Sequence, residues 1–221
     1  MLHQCRREAH VSQERAEAAI ALSTEQGFPT WLANSTVLRG WALAAQGQGE
    51  EGIAQLRQGL AAHQATGEEI VRSHFLALLA EAYGKVGQPG EGLAVLTEAL
   101  AMADRTEERF YEAELYRLKG QLTLQKFQVS GSKFQVADPR PLTPDPQAEA
   151  EECFLKAVDI ARRQSAKSLE LRAVMSLSRL WQQQGKQKDA HQMLAGIYDW
   201  FTEGFDTKDL QEAKVLLAEL A

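Results

Sequence analysis

The sequence has few cysteines, no long apolar run and no apparent export signal. Cys5 and Cys153 are the only cysteines among 221 residues, too few for a disulfide framework and wrongly spaced for a zinc knuckle. No run approaches the roughly 18 to 20 apolar residues of a membrane span. The charged N-terminal segment MLHQCRREAH is followed by no apolar stretch like that of a signal peptide. We therefore expect ordinary thiols in a reducing cytosol, a cytoplasmic protein and no membrane partner.

Positive charge and β-branched residues are also in short supply. The formal net charge is −6, whereas a nucleic-acid-binding protein normally needs a basic surface that displaces counterions from phosphates. We expect no nucleic-acid partner. Ala, Leu, Glu and Gln dominate instead, and these side chains lose little rotamer freedom in a helix. With 44% hydrophobic residues available for a core, the composition predicts an all-α protein.

Signatures of catalysis and of metal or cofactor binding are missing from the sequence. No HExxH pair occurs, no Walker motif occurs, and no GxGxxG follows a strand. The histidines are scattered over separate predicted helices, and we expect them at the surface or in a groove: His3, His10, His63, His74 and His191. We predict no enzymatic activity, no cofactor and no metal site.

What the sequence does contain is a repeat of 40 positions. Three glycine turns resemble one another, with GQGEEG starting at Gly47, GQPGEG at Gly87 and GKQKDA at Gly185. One interval of 58 positions interrupts the period of 40, and a single insertion of 18 residues explains it. Equivalent positions in the repeats form columns, of which one contains small residues: Gly40, Ala80, Gly120 and Ser178. A first apolar column is Ala16, Leu56, Leu96, Phe154 and Leu194. A second apolar column is Ile20, Leu60, Leu100, Val158 and Tyr198.

These columns predict pairs of helices. The two apolar columns lie four positions apart, which places them on one helical face. Each unit is then a helix, a glycine turn and a second helix, and such a pair can bury its apolar stripe only against neighbouring pairs. The predicted fold class is an all-α solenoid of antiparallel helix pairs. An up-and-down bundle is the alternative, but a bundle does not need small residues at one fixed period.

The repeat phase also predicts the boundaries within one domain of residues 1–221. The prediction is a partial first repeat at 1–27, repeats at 28–66, 67–106, 107–165 and 166–203, and a capping helix at 204–221. Projecting the phase backwards places a first helix at about residues −7 to 6, so we expect the chain to start inside a repeat. Asp206 and Thr207 are expected to cap the last helix.

The insertion lies in the third full repeat, at residues 126–146. The tetrapeptide KFQV occurs twice there, starting at Lys126 and at Lys133, and four prolines follow. Because proline removes an amide donor and biases its predecessor towards an extended form, we predict a long loop. The KFQV segments either add a strand to a partner or are a tolerated duplication in a surface loop.

The columns are similar to the tetratricopeptide repeat (TPR) pattern, although the unit of 40 positions exceeds the usual length of about 34. The matches in order are Ala80, Tyr83, Gly87, Gly92, Leu96, Ala99 and Leu100, and Ser178, Trp181, Gly185, Ala190 and Leu194. The longer unit resembles the extended repeats of bacterial signal-transduction ATPases and MalT-like regulators. Segments such as RGWALAAQGQGEEGIAQLRQGLAA and FTEGFDTKDLQEAKVLL resemble the C-terminal region of large bacterial proteins with a nucleotide cyclase or kinase module and an ATPase. The resemblance implies a sensory or regulatory region.

The TPR resemblance also implies a binding surface, because the first helix of each TPR pair lines a concave groove. We predict that this groove binds a protein or peptide segment, for example the upstream domains of the parent protein. Three arginines of the set could hold a carboxylate and Trp41 could cover an apolar anchor. Alternatively, the arginines pair with Glu114 or Glu81 across neighbouring helices. The predicted residues are Asn34, Trp41, His74, Glu81, Glu114, Arg117, Gln121, Arg172, Met175 and Arg179.

Two functions are consistent with this sequence. The first is a protein-interaction scaffold, the C-terminal regulatory TPR region of a larger bacterial signalling ATPase or nucleotide cyclase, as the resemblance implies. The second is a self-association module that dimerises the parent protein through a convex or terminal surface. Neither function requires a catalytic residue.

Overall fold

The computed structural model describes residues 1–131 and 145–221, and the side chains of 1–129 and 145–221. Within these ranges every regular element is an α-helix, as predicted from the composition. None of the described helices is long and apolar enough to cross a bilayer. The helices are α1 Leu2–Cys5, α2 Ala9–Gln26, α3 Pro29–Ala45, α4 Gly49–Ala65, α5 Arg72–Lys85, α6 Pro89–Thr106, α7 Glu112–Gly131, α8 Pro146–Arg163, α9 Lys167–Gln183, α10 Gln187–Tyr198 and α11 Lys208–Leu220.

Tight glycine turns join the two helices of a pair. Gly47, Gly87 and Gly185 follow α3, α5 and α9 with positive φ angles of 91°, 74° and 77°, a region that glycine enters without a Cβ penalty. In each turn the next amide bonds back to a carbonyl five positions earlier, as Gln48 N does to Leu43 O at 3.0 Å. The repeated turn sequence therefore ends three helices in the same way.

The small-residue column marks the place where the helices of a pair approach each other most closely. A Cβ on Gly40 would lie 2.7 Å from the backbone nitrogen of Leu56, and a Cβ on Gly52 would lie 2.6 Å from the backbone nitrogen of Ala44. At these two positions only glycine fits. The period of 40 thus reflects the packing of α3 against α4.

The helices form two compact units, Met1–Tyr111 and Glu112–Ala221. The first unit, here called unit 1, has Leu56, Phe75 and Leu96 among its fully buried side chains. The second, unit 2, buries Phe154 and Leu194 in the same way. Each unit thus has its own hydrophobic core. Full burial of one such side chain stabilises the folded chain by about 1.5–3 kcal/mol.

The helices on either side of the insertion are longer than predicted. Helix α7 extends to Gly131, so the predicted loop at residues 126–131 is wrong; the first KFQV segment contains no proline and continues the helix. Helix α8 begins at Pro146, with the Asp145 carboxylate accepting a bond from Gln147 N at 3.0 Å. The second KFQV segment and the prolines at 139, 141 and 144 lie outside the described residues.

The last helix, α11, follows Thr207, which occupies the predicted N-cap position. The Thr207 hydroxyl donates to the Gly204 carbonyl at 2.7 Å, so it stabilises the turn before the helix and does not accept from the helix itself. Helix α11 buries Leu210, Ala213 and Leu216. These side chains join the core of unit 2.

Candidate functional site

Three of the predicted groove residues lie in the cores of their units. Trp41, His74 and Met175 are 3%, 0% and 2% exposed, so they cannot contact a partner in this conformation. The Trp41 indole nitrogen donates to the Glu81 carboxylate at 3.1 Å. The His74 ring lies edge-on to Tyr111, with ring centroids 4.2 Å apart. The expected apolar anchor at Trp41 is therefore already covered within unit 1.

The other two predicted residues of unit 1 are only partly exposed. Glu81 accepts the bond from Trp41 and forms an ion pair with Lys85 at 2.9 Å. The Asn34 side-chain oxygen is buried and accepts no hydrogen bond from the described residues. Because this oxygen is closed off from solvent, a partner cannot reach it in this conformation either.

In unit 2, Arg117 pairs with Glu114, as the alternative prediction has it, but within its own helix and not across neighbouring helices. The buried Glu114 carboxylate accepts two bonds from the Arg117 guanidinium, both at 2.8 Å. A third Arg117 nitrogen donates to the Gln121 oxygen at 2.8 Å and contacts the Ser176 hydroxyl at 3.4 Å. Arg117 thus links α7 to α9, while Gln121 itself is exposed.

Arg172 is paired as well, mainly with a residue that the sequence did not identify. Its Nε donates to the Asp209 carboxylate at 2.7 Å, and another guanidinium nitrogen lies 3.7 Å from Glu114. Only 11% of the Arg172 side chain and 13% of the Asp209 side chain are exposed. Asp209 lies on α11, which the repeat pattern identified only as a cap, so the sequence carried no signal for this pair.

Arg179 is the most accessible of the predicted arginines. Its side chain is 47% exposed, and one guanidinium nitrogen lies 3.7 Å from the Glu212 carboxylate. It borders a cleft of about 320 Å³ between α9 and α11. The cleft is lined by Arg179, Gln211, Glu212, Val215, Leu216 and Glu219. We call this feature the α9/α11 cleft.

A second cleft, of about 530 Å³, lies in unit 1 on α4, α5 and α6. Arg72 donates there to the Leu60 carbonyl at 3.2 Å and lies 3.3 Å from Glu98. Arg105 pairs with Glu69 at 2.7 Å. Our sequence prediction considered only the first helix of each pair and therefore missed this cleft. Four of its five charged side chains thus form ion pairs with each other, and the fifth, Glu68, accepts a bond from Ile70 N at 3.0 Å.

The expectation that the histidines lie at the surface or in a groove is wrong for two of them. His63 and His74 are fully buried, and both rings contact Phe75, whose ring centroid lies 5.5 Å from that of His63 and 5.9 Å from that of His74. They pack as core aromatic rings. Among the described residues, no group of three or more His, Cys, Asp or Glu could hold a metal ion.

The burial of His63 predicts a dependence of stability on pH. Burial lowers the pKa of His63 below its usual 6.5, and Arg72 lowers it further, against opposing effects of Glu68 and Glu108. Since the unfolded chain binds the proton more readily, the free energy of unfolding should fall as the pH drops below about 6.5, by at most about 1.4 kcal/mol per pH unit. The loss stops once folded His63 is also protonated. Urea unfolding at about pH 7.5 and about pH 5.5 measures it.

The matched variant for this experiment is His63→Leu, which keeps a side chain of similar size and removes the titrating group. It should lose less stability than the parent chain between the two pH values. Equal losses in the two proteins would assign the acid sensitivity to other groups.

Comparison with known proteins identifies the fold. No family model and no curated protein matches the chain. Crystal structures of nearly identical TPR-like repeats of a kinesin light chain-like protein from Podosopora anserina do match. One has a TM-score of 0.58 at 20% identity over 87% of this chain and 86% of that one; a variant of the same protein has 0.55 at 20% identity over 89% and 92%.

A third solved structure, BtubC (BKLC) from P. vanneervenii, has a TM-score of 0.63 at 15% identity, over 98% of this chain and 82% of that one. Such low identities bear on fold alone. Together with the helix pairs and glycine turns, they confirm the predicted fold class: the chain is all-α, with antiparallel helix pairs of the TPR-like solenoid type.

Proposed function

We propose that this chain is a protein-binding scaffold and that the α9/α11 cleft is part of its binding face. The observation that carries the proposal is an accessible arginine, Arg179, at the edge of an open cleft. Arg117 and Arg172 are mostly covered and paired with carboxylates, whereas about half of the Arg179 side chain is exposed to solvent. The TPR-like fold supports the same function, because stacked helix pairs offer extended surfaces for protein segments.

The chemistry of the cleft specifies the kind of segment it would bind. A guanidinium binds a carboxylate through two parallel hydrogen bonds, so Arg179 suits an acidic side chain. Val215 is 59% exposed at the same cleft and offers an apolar contact. Glu212 and Glu219 add two carboxylates. The proposed ligand is therefore a peptide segment with an acidic, an apolar and a basic side chain close together.

Charge reversal at Arg179 tests this proposal. The full chain is immobilised and exposed to a lysate of its source cells, and the captured proteins are quantified by mass spectrometry. We expect the amount of specifically captured protein to fall about tenfold or more in Arg179→Glu. The new carboxylate repels the acidic side chain of the partner, to which the Arg179 guanidinium would donate charge-assisted hydrogen bonds.

The control is Arg163→Glu, since Arg163 is an exposed arginine of α8 that pairs with Asp159 at 3.0 Å. It makes the same change of charge away from the cleft and should leave the captures unchanged. Equal capture by the parent chain and Arg179→Glu would contradict the cleft as binding face.

We also infer that the chain is the regulatory region of a larger signalling protein that works in the cytosol. The similarity of its segments to the C-terminal part of cyclase–ATPase–TPR proteins supports the first inference. The second is supported by the two cysteines, since neither Cys5 nor Cys153 is in a disulfide. Sequencing the complete reading frame tests the signalling context, because a frame with neither a cyclase, a kinase nor an ATPase module contradicts it.

A further inference from the structure

The segment between α10 and α11 presents two aromatic side chains to solvent. Tyr198 and Phe201 pack against the core of unit 2, whereas Trp200 and Phe205 are 57% and 47% exposed. Gly204, with a φ of 77°, turns the chain between them. Two exposed aromatic side chains within one short segment make it a candidate interaction site, because exposed apolar patches mark such sites more often than single side chains do.

Ring contacts hold the exposed side chains in place. The Trp200 ring meets the Phe201 ring edge-on, with centroids 5.2 Å apart and an angle of 87° between the ring planes. The centroid of Phe205 lies 5.9 Å from that of Tyr198. Each exposed ring therefore contacts a ring that is anchored in the core. Aromatic side chains fixed in this way lose little conformational entropy when they bind a partner.

The same segment is acidic. Asp199, Glu203 and Asp206 are all exposed, and the segment 199–206 contains no lysine or arginine. In the described part of the chain, no cationic side chain forms an ion pair with Asp199 or Glu203. We call the surface formed by Trp200, Phe205 and these three carboxylates the aromatic-acidic patch.

A lysine of the chain already shows which ligand chemistry suits the patch. The Lys167 ammonium lies 5.7 Å from the centroid of the Trp200 ring, within the range of a cation–π interaction. The Lys167 ammonium also donates to the Glu170 carboxylate at 2.8 Å. More than half of Trp200 remains exposed to a second cation.

We propose that the aromatic-acidic patch is a docking surface for a basic peptide segment. Lysine or arginine side chains of the partner would lie over the open part of Trp200 and near the Asp199 and Glu203 carboxylates. The same carboxylates repel nucleic acid and anionic bilayers, although aromatic rings alone would suit a bilayer surface. The patch is separate in residues from the α9/α11 cleft and extends the proposed scaffold function to a second class of partner.

The test uses a fluorescently labelled nonapeptide of alternating lysine and serine and the full chain. Fluorescence anisotropy should show saturable binding that weakens from about 50 mM to about 300 mM salt. A peptide with glutamate in place of lysine should not bind. Trp200→Ala should weaken binding about fivefold or more, and the double variant Asp199→Asn with Glu203→Gln should weaken it by a similar factor.

Two controls separate this surface from others. Trp31→Ala removes an exposed indole from unit 1 and should leave peptide binding unchanged. Arg179→Glu should also retain it, so failure of this proposal and failure of the cleft proposal are distinguishable. Equal peptide binding by all variants would mean that the peptide is attracted only by the overall negative charge of the protein, and it would overturn the proposal. So would absence of binding, or Trp200-dependent binding to phosphatidylserine vesicles without binding to the lysine peptide.

Discussion

Replacing Gly40 by alanine is expected to lower the free energy of unfolding by about 3 kcal/mol, the upper end of the usual cost of overpacking. The new Cβ would lie 2.7 Å from the Leu56 backbone nitrogen and 2.8 Å from the Gly52 carbonyl oxygen. Both atoms belong to the backbone of α4, so no rotation of a side chain relieves the contact. Helices α3 and α4 must move apart instead. Urea unfolding followed by circular dichroism measures the loss.

Gly196→Ala is the matched control. Gly196 lies in α10, and an added Cβ would have no heavy atom within 4 Å apart from those of its chain neighbours and the backbone of its own helix. Alanine should therefore raise the free energy of unfolding there by about 0.5–1 kcal/mol, the ordinary gain of replacing glycine within a helix. If Gly40→Ala proved as stable as Gly196→Ala, the close approach of α3 and α4 would be contradicted.

The sequence predicted the features of the fold that depend on residue size and turn chemistry. The position of Gly40 is occupied by a small residue in later repeats because two helix backbones come close there. The position of Gly87 is a glycine in two other repeats because the turn needs a positive φ. Both requirements are local, so one sequence suffices to detect them. The loop boundary is different: proline excludes helix around itself, but it does not determine how far α7 continues beforehand.

Burial within the predicted groove was harder to predict, because it depends on how many helices cover a given face. In α5 every residue from Ser73 to Ala80 is buried, so the helix has no exposed face over that length. The uninterrupted run from Phe75 to Ala80 is the signal that could have indicated this, since a helix that is apolar all round is a buried one. Applying the usual TPR register to His74 overlooked that run.

The polar positions of unit 2 show a further limit of sequence reasoning. Arg172 and Arg179 occupy α9 two turns apart, and the repeat gives both the same expected exposure. The structure separates them, because Asp209 bonds to Arg172 and leaves it mostly covered, whereas Arg179 is half exposed. A pairing over 37 residues leaves no periodic trace in a single sequence. The distinction decides which arginine can serve a partner.

Replacing Arg172 by methionine is expected to lower the free energy of unfolding by about 3 kcal/mol, because it leaves the Asp209 carboxylate without its main cation in a largely covered site. Adding Asp209→Leu should recover part of that loss, since removing both members of such a pair with apolar replacements is often nearly neutral. Urea unfolding of the parent chain, both single variants and the double variant completes the thermodynamic cycle.

Strict additivity, with a stable Arg172→Met chain, would contradict the structural role and return Arg172 to the predicted ligand-binding residues. If the double variant loses less stability than the sum of the two single losses, Arg172 belongs to the contacts that hold α9 and α11 together beside the cleft.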